Sequence, residues 1–501
     1  MELCETHISW VFLTGDYAYK IKKPVNFGFL DFSTLAKRKH FCEEEVRLNR
    51  RLAADIYLDV VPLCGDPEAP TVWGNGPLLE YAVRMRQFDP DCGFDRMLQR
   101  GELSSFHMDL AARTLAGFHA GIAIAARDAN FGSPESVSQP VLENFDSLHR
   151  CVEPLMDDPM LSTHIAELEH WSINANRQLD NAFQNRKRQG FVRECHGDLH
   201  LRNIIYWQDA VVPFDCLEFE PNLRWIDVLN EMAFLLMDLD DHLRTDLARR
   251  LLNSYLEFTG DFDGLRVLRY YKVYRALVRA KVAGLRLSQL SNEDAARAER
   301  EAVGNYVALA LRYVQASRGK LLITHGLSAS GKSWLAQRLL EQVDLIRIRS
   351  DVERKRLFGL GPTEASASAA DQGIYSTEAT TRTYARLLQL AQTLIAAGYS
   401  VIVDATFLKR ADRQAFADYA KHGNIPFIIL HCSVPAETLR ERIVARAEKG
   451  GDASEANLEI LERQLQTQEP LSEEEKRYSM TMDSGNENSL EEILNWMTAT
   501  V

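Results

Sequence analysis

Residues 326–333 read Gly-Leu-Ser-Ala-Ser-Gly-Lys-Ser, and this octapeptide constrains the fold more than any other stretch of the 501-residue chain. It satisfies G-x-x-x-x-G-K-[ST], and its flanks are those the pattern requires: KLLITH before it reads as a buried strand, and SWLAQRLLEQ after it as a helix. Glycines there let backbone N–H groups close around phosphate oxygens at a helix N-terminus. Gly326, Ser328, Ser330 and Gly331 then form the cradle, Lys332 reaches the terminal phosphates of ATP, and Ser333 ligates Mg2+.

Beyond this loop, strand and helix patterns alternate, which predicts an α/β P-loop domain with a parallel sheet. DLIRIRSD reads as a strand closing at Ser350-Asp351, SVIVDAT as one closing at Asp404, and PFIILHCSV as one preceding a helix begun at Pro435. Ligands of such sheets sit beyond the carboxyl ends of the strands. Asp404 is therefore the candidate that works through the magnesium shell. Asp351, with Arg354 on the next helical turn, is the candidate that accepts or orients an acceptor hydroxyl. Arg442 and Arg446 stand four apart, hence on one helix face. They precede EKGGDASEAN and suit a lid that closes arginines over a phosphoryl group. The small-residue stretch 359–373, GLGPTEASASAADQG, is a second candidate lid.

A second phosphate-handling pattern lies upstream. HGDLHLRN, residues 196–203, sets Asp198 and Asn203 at the spacing of the catalytic loop H-R-D-x-x-x-x-N. One loop then carries a carboxylate to the acceptor hydroxyl and an amide oxygen to a magnesium ion. Asp215, after the apolar run AVVPF, would supply a further magnesium ligand. ISWVFLTGDYAYKIKKP reads as two strands joined at Thr14-Gly15-Asp16. Lys20 in Ala-x-Lys is the candidate phosphate lysine, Lys22 shares its face, and Lys23 points away. A helix is predicted from about Ser33 to Leu52, with Leu35, Phe41, Cys42, Leu48 and Leu52 as its apolar stripe. Glu45 falls on that inward face, where a carboxylate needs a partner, and Lys20 is the expected one.

Positions 8–220 resemble the aminoglycoside phosphotransferase and choline kinase family through this small lobe, the loop H-G-D-x-H-x-x-N and the later Asp215. The resemblance implies an α+β bilobal protein-kinase-like domain, and Asp227 matches the family's helix-opening aspartate. The turn expected to cover the nucleotide, near Glu5-Thr6-His7-Ile8-Ser9, departs from the pattern in having no glycine. The second half resembles the small P-loop kinases that include gluconate kinase, polynucleotide kinases and zeta toxins, through GLSASGKS, Ser350-Asp351-x-x-Arg354, VDAT and R-x-x-x-R. The order of the two halves is similar to that of bacterial bifunctional aminoglycoside phosphotransferase/ATP-binding proteins. That implies residues 1–290 as an aminoglycoside phosphotransferase-like kinase domain, 291–318 as a connecting helix and 319–501 as the P-loop kinase domain.

These readings imply ATP and Mg2+ as cofactors and small-molecule hydroxyls as acceptors. Two alternatives stay open: an N-terminal pseudokinase that senses a ligand and regulates the P-loop half, and a toxin-like kinase of nucleotide sugars or RNA ends. The formal net charge of −13 disfavours general binding to long nucleic acids. The eight scattered cysteines, without a C-x-x-C pair, argue against a zinc site or disulfide framework. No apolar run approaches the ~18 residues that span a bilayer, and MELCETHISW has no signal-peptide pattern, so a cytoplasmic protein is expected. The basic patch Asn185-Arg186-Lys187-Arg188 reads as a solvated turn.

Overall fold

The computed structural model describes residues 2–28, 30–156, 158–290, 292–315, 318–366, 372–449, 457–482 and 488–498. The chain divides into two compact units, Met1–Leu243 with Val267–Val314, and Arg244–Arg266 with Gln315–Val501.

The first unit begins with strands β1 (Glu2–Glu5), β2 (Ser9–Leu13), β3 (Tyr17–Lys22), β4 (Tyr57–Asp66), β5 (Ala69–Val72) and β6 (Leu78–Arg86). They form an antiparallel sheet in the order β1-β2-β3-β6-β4-β5. The β2–β3 hairpin turns at Thr14-Gly15-Asp16, where Gly15 takes the left-handed φ of 107° that a glycine accepts without strain. The helix Leu35–Ala53 packs on this sheet. Thr34 caps it, its hydroxyl accepting from the Lys37 N–H at 3.3 Å. Cys42 and Val46 face the core made by Ile56, Tyr57, Val83 and Ile205.

Helices make up most of the rest of this unit. Two short ribbons interrupt them, β7 (Val192–Glu194) with β10 (Trp225–Asp227), and β8 (Ile204–Trp207) with β9 (Ala210–Pro213). The HGD loop runs from β7 to β8, and Asp215 follows β9.

The helix Val228–Asp241 is buried from Val228 to Asp240, and Asp227 opens it by accepting from the Leu229 N–H at 2.8 Å. Both Asp227 oxygens are also held by Arg186, at 2.5 Å from Nε and 2.8 Å from Nη2. The basic patch at 185–188 is thus not a turn, and it is solvated only in part, at Asn185 and Arg188. It closes the helix Pro159–Arg188, and Arg186 is buried because it faces a buried carboxylate.

In the second unit the sheet order is β12-β13-β11-β14-β15 and every pairing is parallel. The strands are β11 (Leu321–His325), β12 (Ile346–Arg349), β13 (Val401–Asp404), β14 (Phe427–Cys432) and β15 (Ser479–Met482). This is the P-loop α/β sheet expected from the alternating pattern. Its β11 is buried throughout, as a strand with helices on both faces must be.

The helix Thr245–Thr259 groups with this unit although its residues fall within the 1–290 range read as one domain. Asn253 on it receives the Arg347 N–H at 2.8 Å and donates to the Leu345 carbonyl at 3.2 Å, so it splices onto β12. Among the described residues no helix is long and apolar enough to cross a membrane.

Asp227→Ala removes a helix cap and strands a buried guanidinium, a change that costs about 3–5 kcal/mol in comparable pairs. The expected result is an early unfolding transition of the first unit in urea, followed by tryptophan fluorescence. An unchanged midpoint would mean that the pair does not support this helix.

Candidate functional site

The loop between β11 and the helix Lys332–Gln342 has the backbone its glycines predict. Gly326 has φ 146° and Gly331, which caps the helix, φ 96°. A side chain at 326 would place its Cβ 2.3 Å from the Cys432 carbonyl oxygen, so β14 runs too close for any residue but glycine. Lys332 Nζ donates to the Leu327 carbonyl at 2.6 Å and lies 3.4 Å from Ser330 Oγ, folded over its own loop. The Ser328 N–H donates to Gln464 Oε1 at 2.8 Å.

This loop forms one wall of a cavity of about 990 Å3, to which Ser328, Lys332 and Ser333 contribute. Asp351 and Asp404 line the same cavity, so the structure brings together the residues expected at the strand ends. Asp404 is 5% exposed and its Oδ2 has no hydrogen-bond partner among the described residues. A buried carboxylate oxygen without a partner is costly, and with the Ser333 hydroxyl it offers the hard oxygen ligands that Mg2+ takes.

Arg442 also lines the cavity and donates to the Ala329 carbonyl at 3.3 Å. Arg446 lies on the same helix, Ala436–Lys449, with its side chain outside the described residues. The candidate lids are described only in part, because 450–456 and 367–371 fall outside those residues. Arg463 and Gln464, from the helix Leu458–Thr467, complete the wall. Sequence reasoning missed both, since nothing in the run LERQLQ distinguishes them from a solvated helix face.

In the first unit, Lys20 Nζ lies 2.8 Å from Glu45 Oε1 and 2.7 Å from Asp215 Oδ1. Lys22 Nζ lies 2.7 Å from the other Glu45 oxygen and also pairs with Glu218. Lys20 thus meets Glu45, the partner expected for it, and Lys22 on the same face meets it as well. Their surroundings differ. Lys22 is sealed, with its ammonium over the Phe32 ring, whereas Lys20 meets Asp215, whose side chain is 43% exposed. Asp215 holds φ 62°, a left-handed conformation that costs a non-glycine residue free energy and recurs at functional sites.

The HGD loop is clamped from beneath. Glu231 Oε2 accepts the Gly197 N–H at 2.8 Å, and Asp238 Oδ2 accepts the Leu201 N–H at 2.9 Å. These carboxylates stand seven residues apart on one helix face, and Asp198 sits between the two clamped positions. Asn203 Nδ2 donates to the Asp198 carbonyl at 2.9 Å and to its Oδ2 at 3.1 Å. His196 Nε2 lies 2.8 Å from the Phe214 carbonyl and His200 Nε2 3.4 Å from Asp198 Oδ2, so both histidines hold the loop. Burial alone would raise the Asp198 carboxyl, yet the His200 hydrogen bond and neighbouring positive charge hold it well below the usual range. It is ionised at neutral pH.

Residues 321–471 match the family model described as AAA domain. Over 454 residues the chain is 31% identical to the uncharacterized protein Rv2004c of Mycobacterium tuberculosis (strain ATCC 25618 / H37Rv), covering 91% of this chain and 88% of that one. The uncharacterized protein Mb2027c of Mycobacterium bovis (strain ATCC BAA-935 / AF2122/97) is also 31% identical, with the same coverage of 91% and 88%. Among solved structures, a sugar kinase from Janibacter sp. HTCC2649 is 22% identical, covering 36% of this chain and 96% of its own at a TM-score of 0.28. An ethanolamine kinase of Plasmodium vivax is 11% identical, covering 63% of this chain and 81% of its own at a TM-score of 0.36.

Burial pushes the Glu45 carboxyl up, but the Lys20 and Lys22 ammonium groups overcome it and bring it from an ordinary 4.5 down to about 2. Stability from such a group is fully present above 4.5 and lost as the pH falls through 2. Glu45→Gln is expected to be less stable than the parent at neutral pH, with the difference shrinking across that acid window. Urea midpoints at matched pH measure it, and a difference independent of pH would contradict the pairing.

Proposed function

We propose that this chain, which belongs to the family of the mycobacterial protein Rv2004c, is an ATP-dependent phosphotransferase with two sites. Each site passes the γ-phosphoryl group to a hydroxyl of a small-molecule acceptor. The observation that carries the reading is one cavity uniting Lys332 and Ser333 with Asp351 and with Asp404, whose Oδ2 has no partner among the described residues. The match of 321–471 to an AAA domain supports nucleotide binding there.

In the P-loop site, backbone N–H groups and Lys332 hold the nucleotide phosphates once the lysine leaves the Leu327 carbonyl. Asp351 orients the acceptor hydroxyl and takes its proton. The hydroxyl oxygen bonds to the γ-phosphorus, the bond to the β,γ-bridging oxygen breaks, and that electron pair leaves with ADP. Ser333 and Asp404 would hold Mg2+, which when bound neutralises charge on the phosphate oxygens.

In the first site, Asp198 has the corresponding acceptor role, supported by its ionised state and its clamped loop. Lys20, fixed by Glu45, is the phosphate lysine, and the sealing of Lys22 favours this choice. Asn203 and Asp215 supply oxygens of the type Mg2+ takes. Asp215, Glu45 and Glu218 set three carboxylates against two lysines, so the row carries an excess negative charge beside its exposed end. That charge suits a cation.

Two variants of the full chain separate the sites. Lys332→Ala is expected to abolish phosphoryl transfer by the P-loop site, leaving whatever Asp198 supports. In that background Asp198→Asn should remove the remaining transfer with little loss of nucleotide binding, whereas Asp215→Asn should weaken magnesium-dependent nucleotide binding itself. Labelled ATP with a metabolite extract measures transfer, and calorimetry measures binding. Undiminished transfer in the Lys332→Ala, Asp198→Asn double variant would overturn the reading.

A further inference from the structure

The helix Leu265–Leu287 turns three basic side chains toward the buried helix Val228–Asp241 of the first unit. One of them is closed on a partner: Lys272 Nζ lies 2.7 Å from Asp240 Oδ2. The other two, Arg275 and Arg279, stand four apart, so their side chains leave one face with Cβ atoms about 5–6 Å apart. Arg275 is 5% exposed, and its Nε donates to Asn230 Oδ1 at 2.8 Å and to the Asn230 carbonyl at 3.3 Å. Arg279 Nε donates to the Tyr306 hydroxyl at 3.3 Å. Among the described residues, the Nη groups of neither guanidinium donate a hydrogen bond.

Both arginines are tied to the HGD loop. The Arg275 guanidinium carbon lies 4.7 Å from the centre of the Phe234 ring, that ring packs on the His200 ring at 5.3 Å, and His200 Nε2 lies 3.4 Å from Asp198 Oδ2. Arg279 Nη2 lies 4.0 Å from Asp238 Oδ1, an oxygen without a hydrogen-bond partner among the described residues, while Asp238 Oδ2 holds the Leu201 N–H. Burial works against the Asp198 carboxylate, and His200, His196 and Arg275 keep it ionised. Burial likewise works against the Arg279 guanidinium, which Tyr306, Asp238 and Asp198 hold in its charged form. Charge is balanced here, but hydrogen bonding is not. The carboxylates within reach are committed elsewhere, Asp198 to Asn203 and Asp238 to the loop backbone.

Two guanidinium groups one helical turn apart, with their outer N–H donors open, fit the oxygens of a carboxylate or phosphate. The same two charges beside Asp198 repel an ammonium group. We propose that Arg275 and Arg279 seat the acceptor of the first site, which selects a hydroxylated small molecule bearing a carboxylate or phosphate and rejects a cationic one. Amine-bearing acceptors, for which the family that this half resembles is named, would meet repulsion here. The proposal rests on the phosphotransferase reading of the first site and names its substrate class. Neither arginine makes or breaks a bond. They fix the anion while the hydroxyl turned to Asp198 reacts.

The test uses the full chain carrying Lys332→Ala, first saturated with magnesium and a non-hydrolysable ATP analogue. Glycerol, glycerate, glycerol 3-phosphate and choline are then titrated by calorimetry. At least one of the two anions is expected to bind about tenfold or more tightly than glycerol and choline, and the one that does identifies carboxylate or phosphate. Arg279→Gln, at a side chain 24% exposed, should shrink that preference several-fold with analogue binding unchanged, and Arg279→Lys should keep more of it. Equal binding of all four probes, tightest binding of choline, no binding by either anion, or a preference undiminished in Arg279→Gln would each overturn the proposal. Loss of analogue binding in Arg279→Gln would overturn it too, by putting the guanidinium on the nucleotide. Failure of the analogue to bind the first site of the Lys332→Ala chain would instead fault the phosphotransferase reading, and the first titration reveals it separately.

Discussion

Five charged side chains in a row, Asp215, Lys20, Glu45, Lys22 and Glu218, tie together parts of the first unit that lie far apart in sequence. The lysines come from β3, Glu45 from the helix that packs on the sheet, and the outer carboxylates from the segment after β9. None could be buried alone. Each makes its neighbour's burial tolerable, and removing one member of such a set costs about 3–5 kcal/mol because the partner is left uncompensated. The row is also asymmetric. Burial raises the Glu218 carboxyl at the closed end, while Asp215 at the open end keeps contact with solvent. Structural and chemical demands on these residues are met by one arrangement.

The second unit separates the two demands. Its ion pairs Arg413–Glu475 and Arg347–Glu257 are closed on themselves and hold elements together. Of the buried polar atoms left without partners among the described residues of this unit, Asp404 Oδ2 and Arg354 Nε belong to residues that line the cavity, whereas His325 Nε2 and Arg347 Nε do not. A buried carboxylate oxygen left incomplete beside a phosphate-binding loop suits the metal-bound nucleotide proposed for this site. It is also a standing cost to the unliganded fold.

Much of this was legible in the sequence because local chemistry determined it. Gly326 and Gly331 are required by the backbone they adopt and Gly15 by its turn; Asp227 was legible only through the family resemblance, and the helix it opens supplies the physical reason. Glu45 was legible because helical spacing put a carboxylate on an apolar face. Glu231 and Asp238 were not, because their helix is buried all round and offers no polar stripe against which an inward carboxylate stands out. Arg186 was misread for a related reason: a basic run at a helix end looks solvated until the buried carboxylate opposite it is known. The helix Thr245–Thr259 shows its amphipathic face in sequence but not its partner, and only the structure joins it to β12. Alternation placed Lys20 and Lys22 correctly on one face, yet the sealing of Lys22 depends on Phe32 and Glu218, to which no local pattern points.

The central claim is that one chain carries two nucleotide sites built on different principles, one on a clamped loop and a row of charges, the other on a glycine cradle. Calorimetric titration of the full chain with magnesium and a non-hydrolysable ATP analogue tests it by stoichiometry. The account predicts two nucleotides per chain, falling to one when Lys332 is replaced by alanine and to one when Lys20 is replaced by methionine. A stoichiometry of one that Lys332→Ala reduces to zero would contradict it.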